Sequence, residues 1–300
     1  MTSHKHIFTS LFILFWILQA NWVFGQSHSD LLEQFSEAEK IYRLGNHDES
    51  IALFEDLQPA LCESDLIDVC INSALLKANI YRNLGEKELF REQIAYGLQK
   101  ISENKLESNP LHPEFYIQLS YFEDGEANMD AVRKYEEKAE LLINDHNIGG
   151  IRKARLFLLK GSNRDTEGDY KTAIENYSSA LRIVSNMDQS IEVIKVLTQT
   201  YNNMGVSYLK LGDFQSAMSY YETNLEFVKE NLGANNSQLF YVYNSLGSIY
   251  YTLGDYGTAG DHFVQAAHII ENNRGKLNSL YTTALNNAAV SYFGMNNIDK

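Results

Sequence analysis

Five positions recur at a spacing of 42 residues in the last third of the chain, and this periodicity constrains the fold more than any other feature. The stretch Tyr201-Asn-Asn-Met-Gly205-Val-Ser-Tyr208-Leu-Lys-Leu-Gly212-Asp-Phe214-Gln-Ser-Ala217-Met-Ser-Tyr-Tyr221 returns as Tyr243-Asn-Ser-Leu-Gly247-Ser-Ile-Tyr250-Tyr-Thr-Leu-Gly254-Asp-Tyr256-Gly-Thr-Ala259-Gly-Asp-His-Phe263. A further copy begins 42 residues on, at Leu285-Asn-Asn-Ala-Ala289-Val-Ser-Tyr292. Another stands 44 residues upstream, at Gly161, Gly168-Asp-Tyr170, Ala173, Tyr177 and Ala180-Leu181. A period in this range marks supersecondary units that stack on their neighbours to bury a shared core. The residue types agree with helix–turn–helix units. Gly205, Gly247 and Ala289 let two helices approach closely, as do Ala217 and Ala259 from the second helix. Gly212 and Gly254 allow the positive φ of a tight turn. Aromatics at 208, 214, 221, 250, 256 and 263 fill the spaces that the small residues leave.

These residues resemble the tetratricopeptide repeat family, whose signature runs through an aromatic, Leu-Gly, Tyr, Gly-x-Tyr, Ala and an aromatic. The resemblance implies an all-α fold: an α-solenoid of helix–turn–helix units forming a right-handed superhelix. The commonest period of that family is ~34. The longer period here corresponds to about one further turn, of ~3.6 residues, on each helix. Together with the Asn-Asn-x-Gly/Ala heading, it most resembles the long repeats of the kinesin light chain type and of bacterial extracytoplasmic sensory proteins.

Taking one small-residue position from each repeat gives 38, 78, 120, 161, 205, 247 and 289, with steps of 40, 42, 41, 44, 42 and 42. Ala38, Ile41, Gly45-Asn46 and Phe54 outline the first repeat, and Ala78, Tyr81, Gly85 and Leu98 the second. The third is degenerate: Leu119-Ser120, a turn at Glu123-Asp-Gly125-Glu126, and a helix from Met129 to Leu142. The expected organisation is a leader at 1–25, divergent repeats one to three at 26–148, and well-matched repeats four to seven at 149–300. Gly149-Gly150 is the expected soft joint. In the seventh repeat the first helix is expected to end near Phe293 and Asn296-Asn297 to supply the turn. Ile298-Asp299-Lys300 then begin a second helix, so the chain reads as a fragment. Only 3 prolines occur, against a typical ~5%. Pro59, Pro110 and Pro113 are expected between repeats or in a first helical turn, where proline is tolerated.

Met1 to Gly25 carries one Lys and two His, then an apolar stretch, then Val23-Phe24-Gly25 at the −3 to −1 positions. This is a signal-peptide pattern with cleavage before Gln26. An uncleaved anchor is the alternative, although Gln19-Ala20-Asn21 interrupts the run short of the ~20 residues that a span needs. The expected location is periplasmic or otherwise extracytoplasmic. Cys62 and Cys70 would then meet an oxidising compartment. A disulfide and two buried free thiols both remain open, and their spacing is wrong for a CxxC metal or redox pair. The chain holds 25 basic and 39 acidic residues, a net charge of −14. That balance argues against a nucleic-acid backbone as partner and against a basic membrane-surface patch. Membrane attachment is expected only through an uncleaved N-terminus or a segment beyond residue 300.

No HExxH, GxSxG, GxxxxGK[ST] or GxGxxG motif is present, so neither an enzyme nor a cofactor or metal site is expected. His28, His47, His112, His146, His262 and His268 are scattered. The family resemblance implies a groove lined by the first helix of each repeat, with the residues before the small position facing into it. Those are Asn202-Asn203, Asn244-Ser245 and Asn286-Asn287, flanked by Gln199, Lys210, Tyr241 and Tyr251. An amide both donates and accepts, so such a column can hydrogen-bond an extended peptide backbone. It can equally bond neighbouring helices and set the superhelical pitch. Of the basic positions used by the carboxylate clamp of chaperone-tail binders, only Lys210 and Arg155 are filled, which disfavours acidic C-terminal tails. In repeats one to three, Phe35, Leu75, Asn79, Arg82, Ile117 and Tyr121 form a more apolar patch, for a partner or a neighbouring segment. The expected function is an exported scaffold that binds a protein or peptide in its groove. It would form the sensory or interaction part of a longer bacterial signalling protein, a sensor kinase or helix-turn-helix regulator. The alternative is a stand-alone adaptor for envelope assembly or secretion.

Overall fold

A computed structural model describes residues 27–43 and 46–297, so the leader, Gly45 and residues 298–300 lie outside the described residues. The described residues form thirteen α-helices. The first six are α1 (His28–Arg43), α2 (His47–Glu63), α3 (Ile67–Leu84), α4 (Lys87–Glu103), α5 (His112–Gly125) and α6 (Met129–Asp145). The next four are α7 (Gly150–Thr166), α8 (Tyr170–Val184), α9 (Ile191–Lys210) and α10 (Phe214–Leu232). The last three are α11 (Leu239–Thr252), α12 (Tyr256–Arg274) and α13 (Ser279–Asn297). They fall into two compact bodies, one ending at Asn147 and the other beginning at Ile148. None of these helices is long and apolar enough to cross a membrane.

Within a repeat, the two helices are joined by one turn used again and again. In α9, the Gly212 amide donates to the Leu209 carbonyl at 3.0 Å and the Asp213 amide to the Tyr208 carbonyl at 3.0 Å. This six-to-one bond, with glycine in the left-handed conformation, closes the helix and satisfies its last carbonyls. Gly85, Gly168, Gly212 and Gly254 all take it, with φ of 78°, 81°, 79° and 84°. The next residue starts the following helix. The carboxylates of Asp169, Asp213 and Asp255 accept from the amides of Thr172, Ser216 and Thr258 at 3.2, 3.0 and 3.1 Å. Each satisfies an amide that the first helical turn leaves without a partner. One Gly-Asp pair therefore stops one helix and caps the next.

The third repeat reaches the same geometry differently. Gly125 is the last residue of α5, not the turn, and Ala127 takes the left-handed position with φ 57°. Ala127 lies seven residues after Ser120, as Gly212 lies seven after Gly205. The Asn128 amide donates to the Glu123 carbonyl at 2.9 Å, and its side chain accepts from the Ala131 amide. The register of the repeat decides where the turn falls; the nearby glycine does not.

The cores follow the small-residue column. Tyr177 and Tyr221 are fully buried and Phe263 nearly so, and their rings lie against Gly161, Gly205 and Gly247, each 16 residues earlier. A second contact repeats at the same period. Tyr208 stacks on Tyr220 at 5.4 Å between centroids, and Tyr250 on His262 at 5.3 Å. His262 is thereby half-buried, and desolvation holds its imidazole below the ordinary histidine value. His268 is exposed.

Three further expectations resolve here. Pro59 lies inside α2 and not at a boundary. Pro59 and Glu55, whose carbonyl loses its donor, are both on the exposed side of the helix, where water replaces the missing amide. Asn296 and Asn297 are the last residues of α13 and do not form a turn. They stand where Gly254-Asp255 stand one repeat earlier, and without a glycine the helix runs on. Cys62 and Cys70 are disulfide-bonded, with Cα atoms 5.1 Å apart, joining the end of α2 to the first turn of α3.

Candidate functional site

In the C-terminal body, α9, α10 and α11 surround a cavity of about 190 Å³. The first helix supplies Thr198, Gln199, Asn202 and Asn203, one turn apart in pairs, so that all four share a face. Tyr241 closes it from α11, Gln238 from the position just before that helix, and Asn224 from α10. Four of the residues expected in the groove, Gln199, Asn202, Asn203 and Tyr241, thus meet at one site. The Asn202 side-chain nitrogen donates to Asn203 Oδ1 at 3.4 Å. Asn224 is 3% exposed, and its Oδ1 has no hydrogen-bond partner. Tyr241 is 54% exposed and forms an aromatic wall. No lining residue carries a charge at neutral pH.

Tyr251 and Asn287 border a second cavity of about 310 Å³, with Ser248, Thr252, Phe263 and Val290. Asn244 and Ser245 are half-buried and border neither cavity, and Asn244 Oδ1 has no hydrogen-bond partner. Asn286 and Lys210 are exposed and border neither cavity. Arg155 also stands apart from them.

The position three before the small residue shows what is unusual about these asparagines. It holds Phe35, Leu75, Ile117 and Leu158 in the first four repeats, with exposures of 7%, 6%, 0% and 4%. In the last three it holds Asn202, Asn244 and Asn286. The apolar patch expected in repeats one to three is therefore largely core. Phe35 packs on Phe54 at 5.7 Å, Leu75 joins the cluster around Phe90, and Ile117 is fully buried. Asn79, Arg82 and Tyr121 are half-buried, with Arg82 over the Tyr121 ring at 5.7 Å. Hydrophobic side chains at this position lose water to their own neighbours, whereas amides there keep a demand for hydrogen bonds.

Thr198, Asn224 and Gln238 lie outside the set read from the first helices. Asn224 had a signal of its own: at a repeat position that holds Leu57 in the first repeat, it breaks a run of small residues formed by Gly97, Ala139, Ala180 and Ala266. Among the described residues, no group of three or more His, Cys, Asp and Glu is placed to hold a metal ion.

A profile of the tetratricopeptide repeat family matches residues 196–272. Residues 196–272 carry tetratricopeptide repeats. The matched stretch encloses every residue of the first cavity. No curated protein matches the chain in sequence. Among solved structures, the APC/C hetero-tetramer Cut9-Hcn1 is 15% identical with a TM-score of 0.65, over 91% of this chain and 45% of that one. A STAND protein with a tetratricopeptide repeat sensor from Pyrococcus horikoshii is 18% identical with a TM-score of 0.61, over 91% of this chain and 42% of that one. PilW, a type IV pilus biogenesis factor, is 16% identical with a TM-score of 0.55, over 86% of this chain and 100% of that one. The chain thus spans less than half the length of the first two. At these identities the likeness is one of fold: an all-α array of tetratricopeptide repeats.

Proposed function

We propose that this chain is an exported tetratricopeptide-repeat scaffold whose amide-lined groove binds a peptide or an extended segment of a protein partner, without catalysis. The observation that carries this is the change at one repeat position from buried Phe, Leu and Ile to Asn202, Asn244 and Asn286. Amides at positions that are elsewhere core leave polar atoms such as Asn244 Oδ1 without partners. Satisfying them from outside is worth binding energy, because a buried unmet acceptor is costly. A peptide backbone offers one donor and one acceptor per residue, which suits a column of amides. The leader pattern and the Cys62–Cys70 bond support export, since disulfides persist in oxidising compartments.

The finer reading is that the scaffold forms the sensory half of a bacterial signalling protein. It rests on the resemblance of the long repeats to extracytoplasmic sensory proteins, and agrees with the sensor named in the Pyrococcus structure. An adaptor for envelope assembly is the second reading, in line with the pilus biogenesis factor of the same fold. The complete coding sequence separates them. A ~20-residue apolar span followed by a kinase or DNA-binding domain supports the first, and its absence from a short continuation supports the second.

The binding proposal is tested with 12-residue peptides selected from a random display library against the full chain. Affinity is then measured by calorimetry for wild type and for the Asn202→Ala, Asn244→Ala, Asn286→Ala triple variant. A loss of tenfold or more with unchanged helicity supports the groove; unchanged affinity removes it.

A further inference from the structure

The cavity beside Asn224 has a property that a general peptide groove does not require. We infer that it is a selectivity subsite that admits one uncharged, hydrogen-bonding side chain of the bound peptide, a primary carboxamide above all. This rests on the reading of the groove as a peptide site and adds a specificity to it.

Three observations converge. Position 19 after the small residue is buried, and it holds Leu57 in the first repeat and the small residues Gly97, Ala139, Ala180 and Ala266 in the second, third, fourth and sixth, the three alanines each 0% exposed. Asn224 occupies that position in the fifth repeat alone among these and is 97% removed from solvent, with Oδ1 unpartnered. A buried amide in a small-residue column is a burden to packing and to solvation unless something meets it. The cavity it borders is lined by amides and a hydroxyl from Thr198, Gln199, Asn202, Asn203 and Gln238, with Tyr241 as the one aromatic wall.

The chemistry of the wall limits the guest. A carboxylate or an ammonium would enter without a counter-charge and lose its hydration, which is disfavoured. An aliphatic side chain would cover amides without bonding them, and a site built to hydrogen-bond rejects the analogue that cannot. A primary carboxamide donates and accepts, as Asn224 and Asn203 do. The volume, about 190 Å³, is several times the ~30 Å³ share of one water molecule. A side chain of Gln or Asn size therefore has room.

The test uses the full chain and the tightest peptide from the display selection. The peptide is resynthesised with Gln, Glu, Lys, Leu and Ala at each position in turn. One position is expected to prefer Gln over Ala, Glu and Lys by about tenfold. Asn224→Ala, which installs the residue of the neighbouring repeats, is expected to abolish that preference, so that the Gln and Ala peptides bind this variant with equal affinity at unchanged helicity. Asn224→Asp is expected to shift the preference towards Lys. Peptide binding with no Gln preference, or with a preference that Asn224→Ala leaves intact, overturns the subsite and spares the groove. If no displayed peptide binds while a neutral glycan does, the peptide reading itself fails, and the subsite with it.

Discussion

The ring of Tyr221 occupies the space that a side chain at Gly205 would need: a β-carbon there would stand 2.7 Å from Tyr221 Cε1. The same pairing joins Gly161 to Tyr177 and Gly247 to Phe263, so the glycine and its aromatic act as one unit of the repeat. Gly205→Ala is expected to lower stability by about 1–3 kcal/mol through overpacking. This outweighs the ~1 kcal/mol that alanine gains in helix propensity. Urea unfolding of the two proteins checks it. A variant as stable as wild type, or more stable, would show that the ring yields freely.

Ala127 occupies a left-handed position that glycine fills in the other described turns of this kind. Its Cβ is strained there, by roughly 1–2 kcal/mol. Ala127→Gly is accordingly expected to raise stability by about 1 kcal/mol, and Gly212→Ala to lower it by a similar amount. Opposite signs at equivalent turns are the signature to look for in melting temperatures. Equal signs would mean that the turn register is misplaced in one of them.

Asp165 Oδ2 accepts from the Tyr177 hydroxyl at 2.6 Å, and Oδ1 from the Ser207 hydroxyl at 2.7 Å, across one repeat interval. Burial raises its carboxyl above the ordinary value, and the two hydroxyl bonds oppose that shift without cancelling it. For an acid whose folded pKa lies above its unfolded one, ionisation penalises the fold. That penalty is absent below the unfolded value near ~4 and grows as pH rises towards the folded one. Asp165→Asn is therefore expected to be more stable relative to wild type at pH 7 than at pH 4. The capping carboxylates of Asp169 and Asp213, held below the ordinary value by Thr172 and Ser216, have the opposite sign but are common to both proteins. Thermal unfolding at the two pH values decides it; a difference that grows on acidification would contradict the assignment.

The Cys62–Cys70 bond closes a short loop between α2 and α3. Its removal, as Cys62→Ser with Cys70→Ser, is expected to cost about 2–3 kcal/mol by the loop-closure argument. Comparing wild type with and without reductant should show the same loss. Unfolding insensitive to reductant would mean that the thiols are free in the protein as isolated.

How much of this was legible in the sequence depends on what each residue does alone. Gly212-Asp213 and Gly254-Asp255 announce their turns because both the left-handed stop and the carboxylate cap follow from residue type. The turn of the third repeat falls two residues later than Gly125 suggests, because that glycine offers the same freedom as a true turn glycine. Only the 42-residue register, set by packing against α6, selects Ala127. Gln199, Asn202 and Asn203 were readable as one face because a helix puts residues three and four apart on one side, and Tyr241 because it stands one 42-residue interval after Gln199. Asn224 was not readable that way, since its relation to them exists only once α10 packs against α9. Phe35, Leu75 and Ile117 left a partner and a neighbouring segment both open, because an apolar residue does not say which covers it; the chain's own helices do.

The central claim is that the amides of the fifth and sixth repeats contact a bound peptide. The side-chain ¹H–¹⁵N signals of Asn202, Asn203, Asn224 and Asn244, assigned by single substitutions, report on it directly during titration with the tightest selected peptide. The account predicts that these four shift saturably with the calorimetric affinity, while those of Gln265 and Asn272, exposed on α12, stay in place. Saturable shifts confined to Gln265 and Asn272, with the four groove amides unmoved, would contradict it.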